Sequence, residues 1–176
     1  MAGDTTVIVD TESETDPTAF GELGLDDESL KGRLSSRFDA HRKQAMFLYP
    51  HVHETLDHLA GLGLKLALVT NGAGAAQREK IERFGLAGRF DHILIEGEFG
   101  AGKPEPQVYL HLMASLGTTP GETWMVGDHL EWEVAAPQRL GIKGIWCNIH
   151  GADLPENSDV RPDHIVGGVR EVLSLI

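Results

Sequence analysis

Short β-type runs alternate along this chain with stretches of helical periodicity, and that alternation narrows the possible folds more than any other feature. The runs are TVIV (Thr6 to Val9), LKLALV (Leu64 to Val69), HILIE (His92 to Glu96), TWMV (Thr123 to Val126) and KGIWCN (Lys143 to Asn148). Between them, apolar residues recur at helical spacing: Val52, Leu56 and Leu59; Ala76, Ile81 and Phe84; Val108, Leu112 and Leu116; Val134, Ala135 and Leu140. A strand, a helix and a second strand in succession form a right-handed crossover onto one sheet. The expected fold class is therefore α/β, a three-layer Rossmann-like sandwich with a mostly parallel sheet. At 176 residues the chain has the length of one core domain, residues 1–176.

One stretch departs from the pattern. Phe20 to Leu48 has helix-forming residues throughout and no strand before Pro50. We expect a short helical insertion, residues 16–48, between the first and second strands. It either covers the sheet or forms a small cap.

Charge and cysteine content exclude several classes of function. Lys and Arg number 15 against 27 Asp and Glu, a formal net charge of -12, so the surface repels polyanions and nucleic acid is not an expected partner. Cys147 stands alone and cannot form an internal disulfide, and the opening residues lack a basic flank followed by an apolar run. A cytoplasmic location is expected. No apolar run approaches the roughly 18 to 20 residues that span a bilayer, so no membrane association is expected. The sequence leaves the oligomeric state open.

In an open parallel sheet, ligands bind beyond the carboxyl ends of the strands, where strand order reverses. Asp10 ends the first run, Thr70-Asn71-Gly72 the second and Gly127-Asp128 the fourth, while Lys103 lies in the glycine-rich loop EGEFGAGKP after the third. Each alone has a plain structural reading: Asn71-Gly72 as a turn, Asp128 as a helix cap, Lys103 as a residue before a helix. Together they form a chemical set of carboxylates for a divalent cation, a hydroxyl and amides for phosphate oxygens, and an ammonium against negative charge.

At these residues the chain resembles the haloacid dehalogenase-like hydrolase superfamily, in particular the phosphoglycolate phosphatase-like subfamily whose cap follows the first motif. YPHVHETLDHLAGLGLKLALVTNG resembles the second motif region, GEFGAGKPEPQVYLHLM the third and WMVGDHLEWEVAAPQRLGIKGIWCN the fourth. The resemblance implies that Thr70, with Asn71 and Gly72, holds the transferring phosphoryl group, and that Lys103 stabilises negative charge there. It also implies that Asp128 and Glu133 govern Mg²⁺. The family usually carries Asp at the second of these acidic positions, and the longer Glu133 could act through water.

The family's first motif, an apolar strand followed by Asp-x-Asp, has two registrations here. In one, TVIVDTESE supplies Asp10 as nucleophile and metal ligand and Glu12 as acid and base, with Ser13 and Glu14 in place of Gly and Thr. In the other, Val9-Asp10-Thr11-Glu12 lies downstream of a motif that is absent, and no nucleophile remains. The leading expectation is a Mg²⁺-dependent phosphomonoester hydrolase acting on a small phosphorylated metabolite through an aspartyl-phosphate intermediate. One alternative is a phosphate-binding or regulatory module without chemistry, and another is a 2-haloacid dehalogenase. Asp128 and Glu133 weigh against the last, because a metal-free site has less use for them.

Overall fold

The computed structural model describes residues 6–9, 37, 46–156 and 158–176. Asp10, Glu12 and most of the expected 16–48 insertion lie outside the described residues. By its backbone contacts the chain divides into two compact units, one of Met1–Glu12 with His51–Ile176 and the other of Ser13–Pro50. In the second unit the rings of Phe47 and Tyr49 meet edge to face, 5.4 Å between centroids.

The first unit is an α/β sandwich. Its strands are β1 (Thr6–Val9), β2 (Lys65–Thr70), β3 (His92–Ile95), β4 (Thr123–Gly127), β5 (Lys143–Cys147) and β6 (His164–Val166). All pair in parallel, in the order β3-β2-β1-β4-β5-β6. The chain steps outward from β1 to β3, then crosses back to add β4 to β6 on the other side. Strand order therefore reverses at β1, whose Val9 lies in register with Leu68 of β2 and Val126 of β4.

Parallel strands are covered on both faces and read as near-continuous apolar runs. From Leu66 to Thr70, β2 is buried throughout. Ala67 and Val69 join Leu94, Met125 and the buried side of α4 (Pro106–Leu116) in one core cluster. Val108, Leu112 and Leu116, the helical-spaced trio of the sequence, all lie in it. Each fully buried side chain of this size contributes roughly 1.5–3 kcal/mol. By alternation along the strand, Leu66 and Leu68 face the opposite side. There α1 (Val52–Gly61) packs against β2 and against a 3₁₀ turn, Val169–Ser174. Among the described residues, no helix is long and apolar enough to cross a membrane.

Local structure differs from expectation at two places. The third run stops at Ile95, and Glu96 opens a single helical turn, α3 (Glu96–Phe99). Its carboxylate accepts the Gly72 amide hydrogen at 2.7 Å, and the Gly97 amide bonds the Gly72 carbonyl at 3.0 Å, which turns the backbone out of the sheet. After β4, Leu130–Ala135 winds as a wide π-helical turn before the short α5 (Ala136–Gln138). Pro137 lacks the amide hydrogen that a regular helix would give to the carbonyl four residues back, and the wider turn avoids that conflict. The tail closes with the 3₁₀ turn at Val169–Ser174.

Candidate functional site

Three loops leave the carboxyl ends of β2, β3 and β4. Thr70 is the last residue of β2 and is buried, as is Asn71 after it. Gly72 has φ 106°, in the region that favours glycine, and turns the chain into α2 (Gly74–Arg83). The loop from α3 to α4 brings Lys103 back against Asn71. The Asn71 side chain donates from Nδ2 to the Lys103 carbonyl at 2.9 Å, and its Oδ1 accepts from the Lys103 amide at 2.8 Å. Gln77 Nε2 donates to the Asn71 carbonyl at 2.8 Å.

Lys103 then reaches toward the third loop, where its Nζ lies 2.8 Å from Glu133 Oε1, and neither side chain is exposed to solvent. A buried ion pair persists only where further hydrogen bonds satisfy both groups. Glu133 Oε2 accepts the His129 amide at 2.8 Å. The carboxylate thus joins the ammonium to the turn that follows Asp128. To do so it crosses Gly127 so closely that a Cβ there would stand 2.1 Å from Glu133 Cγ.

Asp128 follows β4 and is exposed, and its carbonyl accepts the Trp146 indole N–H at 2.8 Å. Next to it, the His129 and Trp132 rings stack 4.2 Å apart at 21°. The Trp132 amide donates to His129 Nδ1 at 3.3 Å, and the Trp132 carbonyl accepts from the Tyr109 hydroxyl at 2.6 Å. Lys103 Nζ is 5.8 Å from the Trp132 ring centroid. The negative face of the indole adds to the stabilisation of the charged lysine.

Of the residues singled out in the sequence, Asn71 and Lys103 meet directly, as do Lys103 and Glu133. Thr70 and Gly72 flank Asn71, and Asp128 precedes the residue that binds Glu133. Among the described residues, no three His, Cys, Asp or Glu side chains gather as a metal cluster. Asp128 supplies the oxygen donor that Mg²⁺ prefers, at the strand end where such an ion would sit. Sequence reasoning missed Tyr109, Glu96 and Trp146 as supports of these loops. Tyr109 carried a signal, since a tyrosine on the apolar face of a helix needs a partner for its hydroxyl.

Comparison with known proteins bears on the family and the fold. The sequence model of the haloacid dehalogenase-like hydrolases matches residues 10–147. The phosphoserine phosphatase of Thermus thermophilus is 38% identical over 125 residues, 71% of this chain and 49% of that protein. The N-acylneuraminate-9-phosphatase of Mus musculus is 34% identical over 154 residues, 87% of this chain and 61% of that protein. This chain therefore spans about half to three fifths of the length of these relatives. The crystal structure of a HAD phosphatase from Thermococcus onnurineus has the same fold, with a TM-score of 0.73 over 97% of each chain at 24% identity.

Proposed function

The chain belongs to the haloacid dehalogenase-like hydrolase family, and on that premise we propose that it hydrolyses the phosphomonoester of a small metabolite, with Mg²⁺, through an aspartyl-phosphate intermediate. The observation that carries this reading is the buried Lys103 ammonium, held by Glu133 beside the loop that follows Thr70. A fixed positive charge at the carboxyl edge of a parallel sheet is suited to the charge of a transferring phosphoryl group.

In this reading Asp10, which follows Val9 in the sequence, attacks phosphorus through a carboxylate oxygen. The ester P–O bond breaks, and Glu12 gives its proton to the departing alkoxide. Glu12 then takes a proton from water, whose oxygen attacks phosphorus and displaces Asp10 as a free carboxylate. Thr70 donates its hydroxyl hydrogen to a phosphoryl oxygen, and Lys103 offsets the negative charge. Asp10 and Asp128 would hold Mg²⁺, with Glu133 supporting the Asp128 turn. The ion supplies charge neutralisation at the phosphoryl oxygens. Residues 16–48 act as the helical cap that selects the substrate.

The test is turnover of an aryl phosphate with Mg²⁺ by the wild-type chain and by Asp10→Asn. We expect hydrolysis that EDTA abolishes and a loss of several powers of ten in the variant, the usual scale for removing a nucleophile. Equal rates for the two proteins would exclude Asp10. A second reading is that the first motif is absent and no nucleophile remains, which is favoured by Ser13 and Glu14 standing where the family carries Gly and Thr. On that reading the chain binds phosphate without hydrolysis under any metal.

A further inference from the structure

The side chain of Asn71 is buried, and both of its polar ends are directed at the backbone of a single residue 32 positions away. We propose that Asn71 is a positioning residue: it serves the reaction by fixing the backbone of Lys103, and its side chain does not touch the phosphoryl group. This inference rests on the phosphohydrolase reading.

The two bonds form a matched pair, a donor to the Lys103 carbonyl and an acceptor for the Lys103 amide. A carboxamide offers both from one carbon, whereas an ionised aspartate can accept but cannot donate. The surroundings hold this clamp from each side. Gln77 holds the Asn71 carbonyl from α2, and Glu96 holds the Gly72 amide from α3. Gly102 completes the fit, since a Cβ there would lie 2.9 Å from Asn71 Oδ1 and 2.6 Å from Glu96 Cδ. Lys103 is thereby held at two points, at its backbone by Asn71 and at its ammonium by Glu133. One hydrogen of Nδ2 and a lone pair of Oδ1 are thus directed at the lysine backbone.

Two measurements on the whole chain test this. The first needs no catalysis: hydrogen exchange at the Lys103 amide, read by NMR in the wild type and in Asn71→Ser, whose hydroxyl ends one bond short of the Oδ1 position. We expect exchange at least about tenfold faster in the variant, as for a buried amide that loses its acceptor. Wild-type exchange at Lys103 in folded Asn71→Ser would overturn the clamp.

The second is a cycle with Lys103→Met, read as kcat/KM for an aryl phosphate with Mg²⁺ and as affinity for inorganic phosphate. Asn71→Ser alone should lose about 100-fold in kcat/KM, the scale set by a misplacement of roughly 1 Å. Combined with Lys103→Met, it should add less than about twofold to either quantity. Losses that multiply would mean that Asn71 contacts the phosphoryl group itself, and the proposal would fall. If the wild-type chain hydrolyses no phosphomonoester, the functional reading fails, while the exchange measurement and the phosphate-affinity cycle still decide the role of Asn71.

Discussion

Lys103 and Glu133 are each held without access to water, so neither can lose its partner and be rescued by solvent. Lys103→Met should destabilise the protein by about 3–5 kcal/mol, because it leaves a carboxylate buried and unpaired, whereas Lys103→Met with Glu133→Leu should recover most of that loss. Urea unfolding of the four proteins checks this, and a double variant no more stable than the worse single one would refute it. The chemistry of these residues was legible in the sequence, since a lysine in a glycine-rich loop and acids after Gly127 point to phosphate and a hard cation. Their pairing was not. Thirty residues separate Lys103 from Glu133, and no local pattern tells that a glutamate will turn across Gly127 to meet a lysine from another loop.

At the scale of elements, the turn Leu130–Ala135 is locked to β5 by contact with bare backbone. A Cβ on Gly144 would stand 2.6 Å from Val134 Cα and 3.0 Å from the Val134 carbonyl oxygen, atoms that cannot swing aside. Gly144→Ala should cost about 1–3 kcal/mol through overpacking. Gly121→Ala, where nothing lies within 4 Å, should stay within about 0.5 kcal/mol of the wild type. Denaturant midpoints measure both, and equal midpoints would refute the contact argument. The strands and α4 could be read from periodicity because burial acts on every residue of an apolar run. The ending of β3 at Ile95 could not, because it depends on a single tertiary bond, that of Glu96 to the Gly72 amide, which leaves no period in the sequence.

At the scale of the whole molecule, His92 and Cys147, among the described residues, each tie stability to pH. Partial burial, and after it the nearby His111, holds the His92 ring below its ordinary value of 6.5. Its neutral form is favoured in the fold, so its contribution is present above pH 6.5 and is lost as the pH falls through the folded value. Burial, and then the charges of Asp128 and Glu171, raises the Cys147 thiol from 9.0 to about 11. Here the protonated form is favoured, so stability is full below pH 9.0 and declines as the pH rises toward 11. Melting temperatures across this range should fall at both ends. His92→Gln should flatten the acid limb and Cys147→Ala the alkaline one, and limbs unchanged in these variants would refute the assignment. The sheet order carries a consequence for biosynthesis. β1 has no neighbour close in the chain: Thr6 waits for Lys65 on one side and for Thr123 on the other. Since ribosomes deliver polypeptide from the amino end, β1 must stay unmatched along one border until the segment beginning at Thr123 has been synthesised.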